Sequence, residues 1–137
     1  MTKYKIGYFV GSLSSTSINR KLAHALAKLA PPELELVEIP IKDLPLYSQD
    51  YDADFPEVAK AFKQAIADCD GLLFVTPEFN RSIPGGLKNA IDWASRPWGR
   101  TLLPASLPAL SAPHPVLLVR RSRRASCVVC SVFVIHR

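Results

Sequence analysis

Along its first hundred residues the chain switches repeatedly between two hydrophobic periods. Tyr4-Lys5-Ile6-Gly7-Tyr8-Phe9-Val10 is a short apolar-rich run that predicts a strand. A Gly/Ser/Thr loop, Gly11 to Thr16, follows. Ser17 then stands where a hydroxyl can cap a helix by accepting from a first-turn amide. Ile18, Leu22, Ala25, Leu26 and Leu29 recur at helical spacing, and Pro31-Pro32 stops that helix. Leu34-Glu35-Leu36-Val37-Glu38-Ile39 alternates as a second strand, and residues 40–55, with Pro40, Pro45, Tyr47 and Tyr51, read as a long loop. Pro56 opens a second helix whose predicted buried stripe is Val58, Phe62, Ala65, Ile66 and Cys69. Asp70-Gly71 turns into a third strand, Leu72 to Val75, and the third helix runs from Pro84 to Ser95. Proline is harmless at Pro84 because a first-turn amide has no intrahelical partner.

Strand and helix alternate three times, which implies an α/β domain with a parallel sheet and right-handed crossovers. In such sheets ligands sit at the loops beyond the carboxyl ends of the strands. Beyond Thr101 the pattern dissolves. Leu102 to Pro115 carries four prolines with neither period, Arg120-Arg121-Ser122-Arg123-Arg124 is a basic cluster, and Cys127 to Ile135 is a short apolar run. The chain has no internal repeat.

Composition sharpens that break. At 137 residues the chain is one domain at most, large enough for a core and small for a doubly wound sheet. The net charge of +5 is not spread evenly: residues 1–100 carry 12 Lys+Arg and 12 Asp+Glu, whereas residues 101–137 carry five Arg and no acid. All six glycines precede residue 100 and two of the three cysteines follow it. Two compositions meet near Gly99. No apolar run approaches the roughly 20 residues that span a bilayer. The Met1-Thr2-Lys3-Tyr4-Lys5 start leads straight into a strand rather than a signal peptide. The expected compartment is the cytoplasm, with no membrane partner.

Two loops carry the candidate chemistry. Gly11-Ser12-Leu13-Ser14-Ser15-Thr16-Ser17-Ile18-Asn19 lies between the first strand and the first helix. An anion there meets unpaired helix amides, the positive end of the macrodipole and several hydroxyl donors. On its own the stretch reads equally well as a Ser-rich turn with a cap. The second loop opens the run from Thr76 to Trp93, Thr-Pro-Glu-Phe-Asn-Arg-Ser-Ile-Pro-Gly-Gly-Leu-Lys-Asn-Ala-Ile-Asp-Trp. Taken singly, Glu78 is a solvated acid near a helix start and Asn80 a turn residue.

Together the two loops resemble a known family. The Thr76–Trp93 run is similar to the P-E-Y/F-N-x-S-x-P-G-x-L-K-N-A-I-D-W signature of NAD(P)H-dependent flavin mononucleotide (FMN) reductases, which include chromate and quinone reductases. Gly11, Ser12, Ser17 and Asn19 match that family's G-S-x-R-x-x-S-x-N phosphate loop, and Ser14 stands where the family usually has Arg. The resemblance covers residues 1–100 and implies a flavodoxin-like, doubly wound parallel sheet with strand order 2-1-3. It further implies a cofactor site made of Gly11, Ser12, Ser14, Ser17, Ile18 and Asn19 at the phosphate and Pro77, Glu78, Phe79, Asn80 and Ser82 at the flavin ring. FMN is the implied cofactor, NADPH or NADH the hydride donor, and quinones, free flavin, chromate or azo compounds the acceptors. Intact relatives are expected to be homodimers or homotetramers. The flavin carries the reaction, so no catalytic acid, base or nucleophile and no metal site is assigned. Asp92 and Trp93 are assigned to helix packing or a subunit contact, and His24, His114 and His136 to ordinary positions.

Residues 101–137 read as an aberrant tail in which the family's fourth strand, its G-T-S-P-G-A-I-G-like loop and its last helix and strand are missing or replaced. A displaced reading frame accounts for this: each original codon would join the third base of one residue to the first two bases of the next. From Leu103 onward the rule permits that missing order, with Pro104-Ala105-Ser106 giving G-K, Leu110-Ser111-Ala112 giving I-G and Pro113-His114-Pro115-Val116 giving S-P-G. The arginine cluster would otherwise suggest nucleic acid. Cys127-Val128-Val129-Cys130 would otherwise suggest a redox dithiol or half a metal site. The frame reading assigns neither, so no nucleic-acid partner is expected. Losing two strands and two helices would leave the third strand an open edge.

Overall fold

The computed structural model describes residues 3–97 and 99–103, together with the backbone of 128–133. Strand β1 (Tyr4–Val10) leads to helix α1 (Ile18–Leu29), strand β2 (Leu34–Glu38), helix α2 (Glu57–Ala67), strand β3 (Gly71–Pro77) and helix α3 (Gly85–Ser95), and β4 (Val128–Phe133) closes the order. The sheet runs β2-β1-β3-β4. β1 is parallel to β2 and to β3, with Ile6 opposite Leu36 on one side and Gly71 on the other. The predicted order 2-1-3 is therefore the one found.

The expected open edge is not. β4 lies antiparallel on β3, Leu72 opposite Phe133 and Pro77 opposite Val128, so the third strand has backbone partners on both sides. Unpaired strand N–H and C=O groups template any extended segment within reach. The short apolar run of the tail supplies one. The arginine cluster and the prolines before it lie outside the described residues.

Alternation along the two central strands sorts the core into two layers. Phe9, Leu72 and Phe74 face α2 and α3, where they meet Phe62, Ile66, Leu87, Ala90 and Trp93. Phe9 stacks on Phe74 with ring centroids 4.9 Å apart. Tyr8, Val10, Leu73 and Val75 face α1, where they meet Ala23, Leu22 and Leu26. All seven residues of β3 are buried, as a central strand covered on both faces requires.

The predicted stripe of α1 is rotated, and that of α2 holds except at Val58, with Phe62 and Ile66 buried and Ala65 and Cys69 packed against the core. In α1 the buried residues are Asn19 and Ala23, while Ile18 is 63 % and Leu29 82 % exposed. In α2 they are Ala59, Phe62 and Ile66, and Val58 is exposed. The small side chain of Ala23 lets the backbone of α1 approach the sheet, a choice that a count of large apolar residues does not see. Ser17 does cap α1, its Oγ accepting from the Arg20 amide at 3.2 Å. Pro56 and Pro84 stand one residue outside their helices, at the cap positions.

Cys69, Tyr8 and Tyr47, each raised first by burial, make the fold sensitive to alkali. The Cys69 thiol donates to the Ala65 carbonyl at 3.1 Å, and burial raises its pKa above the ordinary 9.0. Burial, and then the neighbouring Glu38 carboxylate, raise the Tyr8 phenol above 10.0. An acid whose pKa is higher folded than unfolded stabilises the fold fully below its unfolded pKa and loses that contribution as pH rises through the folded value. The melting temperature should therefore fall as pH climbs from 9 past 10. Tyr8→Phe should flatten the upper part of that fall, and an unchanged slope would remove Tyr8 from the account.

Candidate flavin site

The two candidate loops leave adjacent strands. Val10 pairs with Val75 in the β1–β3 ladder, and one residue later the Gly11 amide donates to the Val75 carbonyl at 2.9 Å. Gly11 then passes directly over Thr76: a Cβ at Gly11 would lie 2.1 Å from Thr76 Oγ1 and 2.6 Å from its Cβ. Thr76 is itself buried, and its hydroxyl donates to the Pro77 carbonyl at 3.0 Å. Farther along, Leu13 reaches the start of α3, where a Cβ at Gly86 would lie 3.4 Å from Leu13 Cδ1. Glycine is needed at 11 because nothing larger fits between the two loops.

The first loop is folded by its own hydroxyls. Ser14 Oγ accepts from the Thr16 amide at 3.3 Å and lies 3.2 Å from Thr16 Oγ1, while the Ser14 carbonyl accepts from the Ser17 amide at 3.2 Å. Ser12 is half-buried, Ser14 and Ile18 are exposed, and Gly11, Ser17 and Asn19 are buried. The amides of Ile18 and Asn19 belong to the first turn of α1 and have no acceptor within the helix. The Asn19 carboxamide oxygen is buried without a hydrogen-bond partner among the described residues. A buried orphan of this kind costs on the order of 1–3 kcal/mol unless a ligand or water supplies the missing contact.

The second loop is a tight hairpin. Phe79 and Ser82 exchange backbone hydrogen bonds of 2.8 and 2.9 Å, and the two residues between them, Asn80 and Arg81, both have positive φ, 52° and 65°. A two-residue turn of this kind requires left-handed backbone at both central positions, which Asn tolerates and Arg does not. Arg81→Gly should therefore stabilise the chain by about 0.5–1 kcal/mol, after glycine's larger unfolded-state entropy is subtracted. A denaturant midpoint that moves the other way would show that Arg81 holds the turn by a contact of its side chain. Pro77 is buried, and Glu78, Phe79, Asn80 and Ser82 are exposed, Phe79 to 55 %. Contact between the loops is thus made by Gly11 on Thr76. Among the described residues no hydrogen bond joins the 79–82 turn to the 12–16 loop.

The rest of the eighteen-residue run is structural. Trp93 is fully buried; its Nε1–H donates to the Pro45 carbonyl at 2.7 Å, and its ring packs on Tyr47, Tyr51 and Phe55. Asn89 donates to the same carbonyl at 2.9 Å and accepts from the Tyr47 amide at 2.9 Å. These two residues pin the long 40–55 loop onto α3, which settles the packing role predicted for Trp93. Asp92 pairs with Lys88 on the helix surface. Lys63 of α2 closes the far end of α3 by donating to the carbonyls of Ala94, Arg96 and Arg100. Sequence reasoning missed Thr76 and Asn89. The only signal for either was its place in the motif, where both were quoted without a role.

A larger hollow, about 460 Å³ beside α2 and lined by Asp52, Phe55, Lys60, Lys63 and Arg100 among others, includes no residue of either loop. Its mixture of acids and bases has no convergent donor set. The loops at the strand ends do: free amides, several hydroxyls, a helix start and an orphaned carboxamide stand on one side, and an exposed aromatic ring on the other. That set suits a ligand with a phosphate or hydroxylated chain at one end and a flat ring at the other.

Comparison with known proteins agrees with this chemistry. Residues 4–112 match the family model described as NADPH-dependent FMN reductase. A 2-hydroxy-1,4-benzoquinone reductase from a Burkholderia species is 66% identical over 98 residues, covering 72% of this chain and 54% of that protein. A quinone reductase from Pseudomonas putida is 52% identical over 99 residues, covering 72% of this chain and 53% of that one. Among solved structures, FerB, a flavoenzyme NAD(P)H:(acceptor) oxidoreductase from Paracoccus denitrificans, superposes with a TM-score of 0.69 at 46% identity, covering 72% of this chain and 54% of that one. The chain spans about half the length of the relatives it matches. With its three parallel strands, its two polar loops and a family match over most of its length, this chain belongs to the NADPH-dependent FMN reductase family.

Proposed function

We propose that the chain carries the flavin-binding half of an NAD(P)H-dependent FMN oxidoreductase whose acceptors are quinones, free flavin, chromate or azo compounds. The observation that carries this reading is the packing of Gly11 on Thr76, which brings the 11–19 and 77–82 loops to one rim of the sheet. In this reading Gly11, Ser12, Ser14, Ser17, Ile18 and Asn19 surround the phosphate end of FMN, and Pro77, Glu78, Phe79, Asn80 and Ser82 line its ring. Bound flavin would take a hydride from NADPH or NADH and hand the electrons on to the acceptor. The chain's own part is to bind and orient. The first-turn amides of α1 offer fixed positive partial charge, Phe79 offers an apolar face for a flat ring, and the Asn80–Arg81 turn sets the depth at which that face stands. No side chain is assigned to move a proton.

Assembly as a homodimer or homotetramer belongs to the same reading, resting on the family resemblance. A reductase drawing on NAD(P)H works where that donor is kept reduced, and we place it in the cytoplasm. Among the described residues no helix is long and apolar enough to cross a membrane. Residues 1–100 form the flavodoxin-like unit in this reading, and the chain from about residue 101 derives from a displaced reading frame. The composition break near Gly99 and the ordered motif in the alternative frame support that origin. The family match does continue to residue 112, into the start of the tail.

The activity is tested on a full-length protein with its frame restored, assayed for NADPH oxidation with FMN and 1,4-benzoquinone. Oxidation that needs both is the expected result, and oxidation indifferent to FMN would contradict the reading. A second reading, a flavin-binding module without turnover, is favoured for the 137-residue chain because its similarity covers about half of each relative. Such a chain would bind FMN yet leave NADPH unoxidised.

A further inference from the structure

We propose that Arg81, at the tip of the 79–82 turn, selects the electron acceptor: it receives the anionic group of a flat aromatic quinone whose ring lies against Phe79 and the flavin. The proposal rests on the flavin-site reading above and adds a specificity-determining residue that the cofactor set leaves out.

Arg81 stands where arginine is a poor choice. Its φ of 65° follows one of 52° at Asn80, and the backbone pairing of Phe79 with Ser82 holds both residues there. Glycine or asparagine adopts this backbone readily, whereas a long side chain is strained in it. Strained residues of this kind gather at active sites and ligand clamps, so the strain at Arg81 calls for a gain made by its side chain.

That gain is not made inside the fold. Among the described residues the Arg81 side chain has no hydrogen bond, ion pair or ring contact, whereas Arg20 pairs with Glu38, Lys60 with Asp54 and Lys88 with Asp92. All 12 Asp and Glu of the chain lie between Glu33 and Asp92, so the tail brings no acidic side chain to meet it. Glu78, the acid nearest in sequence, stands at the foot of the hairpin, outside the Phe79–Ser82 pair, and makes no ion pair among the described residues.

Position then decides what the cation meets. Across the 11–19 and 77–82 loops Arg81 is the only Lys or Arg. It is exposed, and so is Phe79, two residues earlier on the same turn. An apolar ring and an unpaired guanidinium on one turn suit a ligand that is flat and negatively charged at its edge. The ring packs, and the guanidinium offers a fork of donors to a carboxylate, a sulfonate or an ionised hydroxyl. The FMN phosphate is not that anion, because the flavin-site reading sets it against the 11–19 loop at the start of α1.

Equilibrium dialysis tests this, with anthraquinone-2-sulfonate and the uncharged 2-(hydroxymethyl)anthraquinone set against the whole 137-residue chain, saturated with FMN and kept oxidised. The natural sequence, Arg81→Gly and Arg81→Lys are compared. The natural chain should bind the sulfonate about five- to tenfold more tightly than the alcohol, the scale of one charge-assisted hydrogen bond, and the preference should shrink as salt is raised. Arg81→Gly, which keeps the left-handed turn, should bring the two quinones within about twofold of each other. Arg81→Lys keeps the charge and loses the fork, so part of the preference should remain. An Arg81→Gly chain that still prefers the sulfonate, equal weakening of both quinones, or a natural chain that binds them alike overturns the proposal while leaving the flavin site standing. NADP+ and NAD+ form a second arm: if Arg81→Gly erases a preference for NADP+ and not for the sulfonate, the cation serves the hydride donor and its role toward the acceptor falls. A chain that binds no FMN overturns both this role and the flavin site.

Discussion

Gly11→Ala is expected to be the most damaging small substitution in this chain, and Thr76→Gly is expected to repair much of the damage. The added methyl would sit 2.1 Å from Thr76 Oγ1, 2.6 Å from Thr76 Cβ and 3.2 Å from Leu87 Cδ2. Thr76 cannot swing away cheaply, because it is buried in β3 and its hydroxyl is bonded to the next carbonyl. Relief must come from the backbone, at the expense of the Gly11–Val75 hydrogen bond that holds the two loops side by side. Forced overpacking costs about 1–3 kcal/mol and at times more, and here about 3 kcal/mol is expected. Flavin affinity should fall at least about tenfold with it, since each 1.4 kcal/mol of lost positioning is tenfold in binding. Thr76→Gly alone should cost about 1 kcal/mol as a glycine within a strand. The double variant should be more stable than the sum of the two by about 1–3 kcal/mol, the coupling of residues in contact. Urea titrations of the four proteins measure this. Strict additivity would mean that Gly11 and Thr76 do not touch.

Trp93→Ala should cost about 3–5 kcal/mol, the range for deleting a large buried aromatic. Trp93 is fully buried, carries three aromatic contacts and donates to Pro45. Against a net stability of about 5–15 kcal/mol, that loss decides whether a chain of this length folds at all. Trp93→Phe keeps much of the packing and removes the donor, so it should cost about 1–2 kcal/mol. Asp92→Asn, which breaks a surface pair next door, should cost less than about 1 kcal/mol. The order Ala, Phe, then the Asp92 variant is the prediction, read from thermal or urea midpoints. If Asp92→Asn were the worst of the three, the motif's carboxyl end would be working through charge, not packing.

Much of this was legible before any coordinates. Period-two and period-3.6 patterning located all three parallel strands and all three helices, because each apolar run sits between unambiguous breakers: Gly11, Pro31-Pro32, Pro56, Asp70-Gly71 and Pro84. The Ser17 cap was readable for the same local reason. The buried face of α2 was readable too, apart from Val58, but that of α1 was not. Ile18 and Leu29 look like core residues at the right spacing, yet the sheet is approached through Asn19 and Ala23, and close packing on small residues leaves no hydropathy signal. The register that sets Gly11 on Thr76 is likewise a property of two strands 65 residues apart, invisible in either loop alone. Arg81 at positive φ could not be foreseen, since nothing in its side chain favours that backbone. The antiparallel β4 ran against expectation because edge pairing asks only for an extended apolar segment, whatever its origin.

The central claim is that two loops from neighbouring strands form one flavin site. Backbone amide hydrogen exchange across the chain, with and without saturating FMN, tests it most directly. The account predicts that slowed exchange appears together at residues 12–19 and at 78–82, with the surface of α2 unchanged. Protection of one loop without the other, or protection centred on α2, would contradict it.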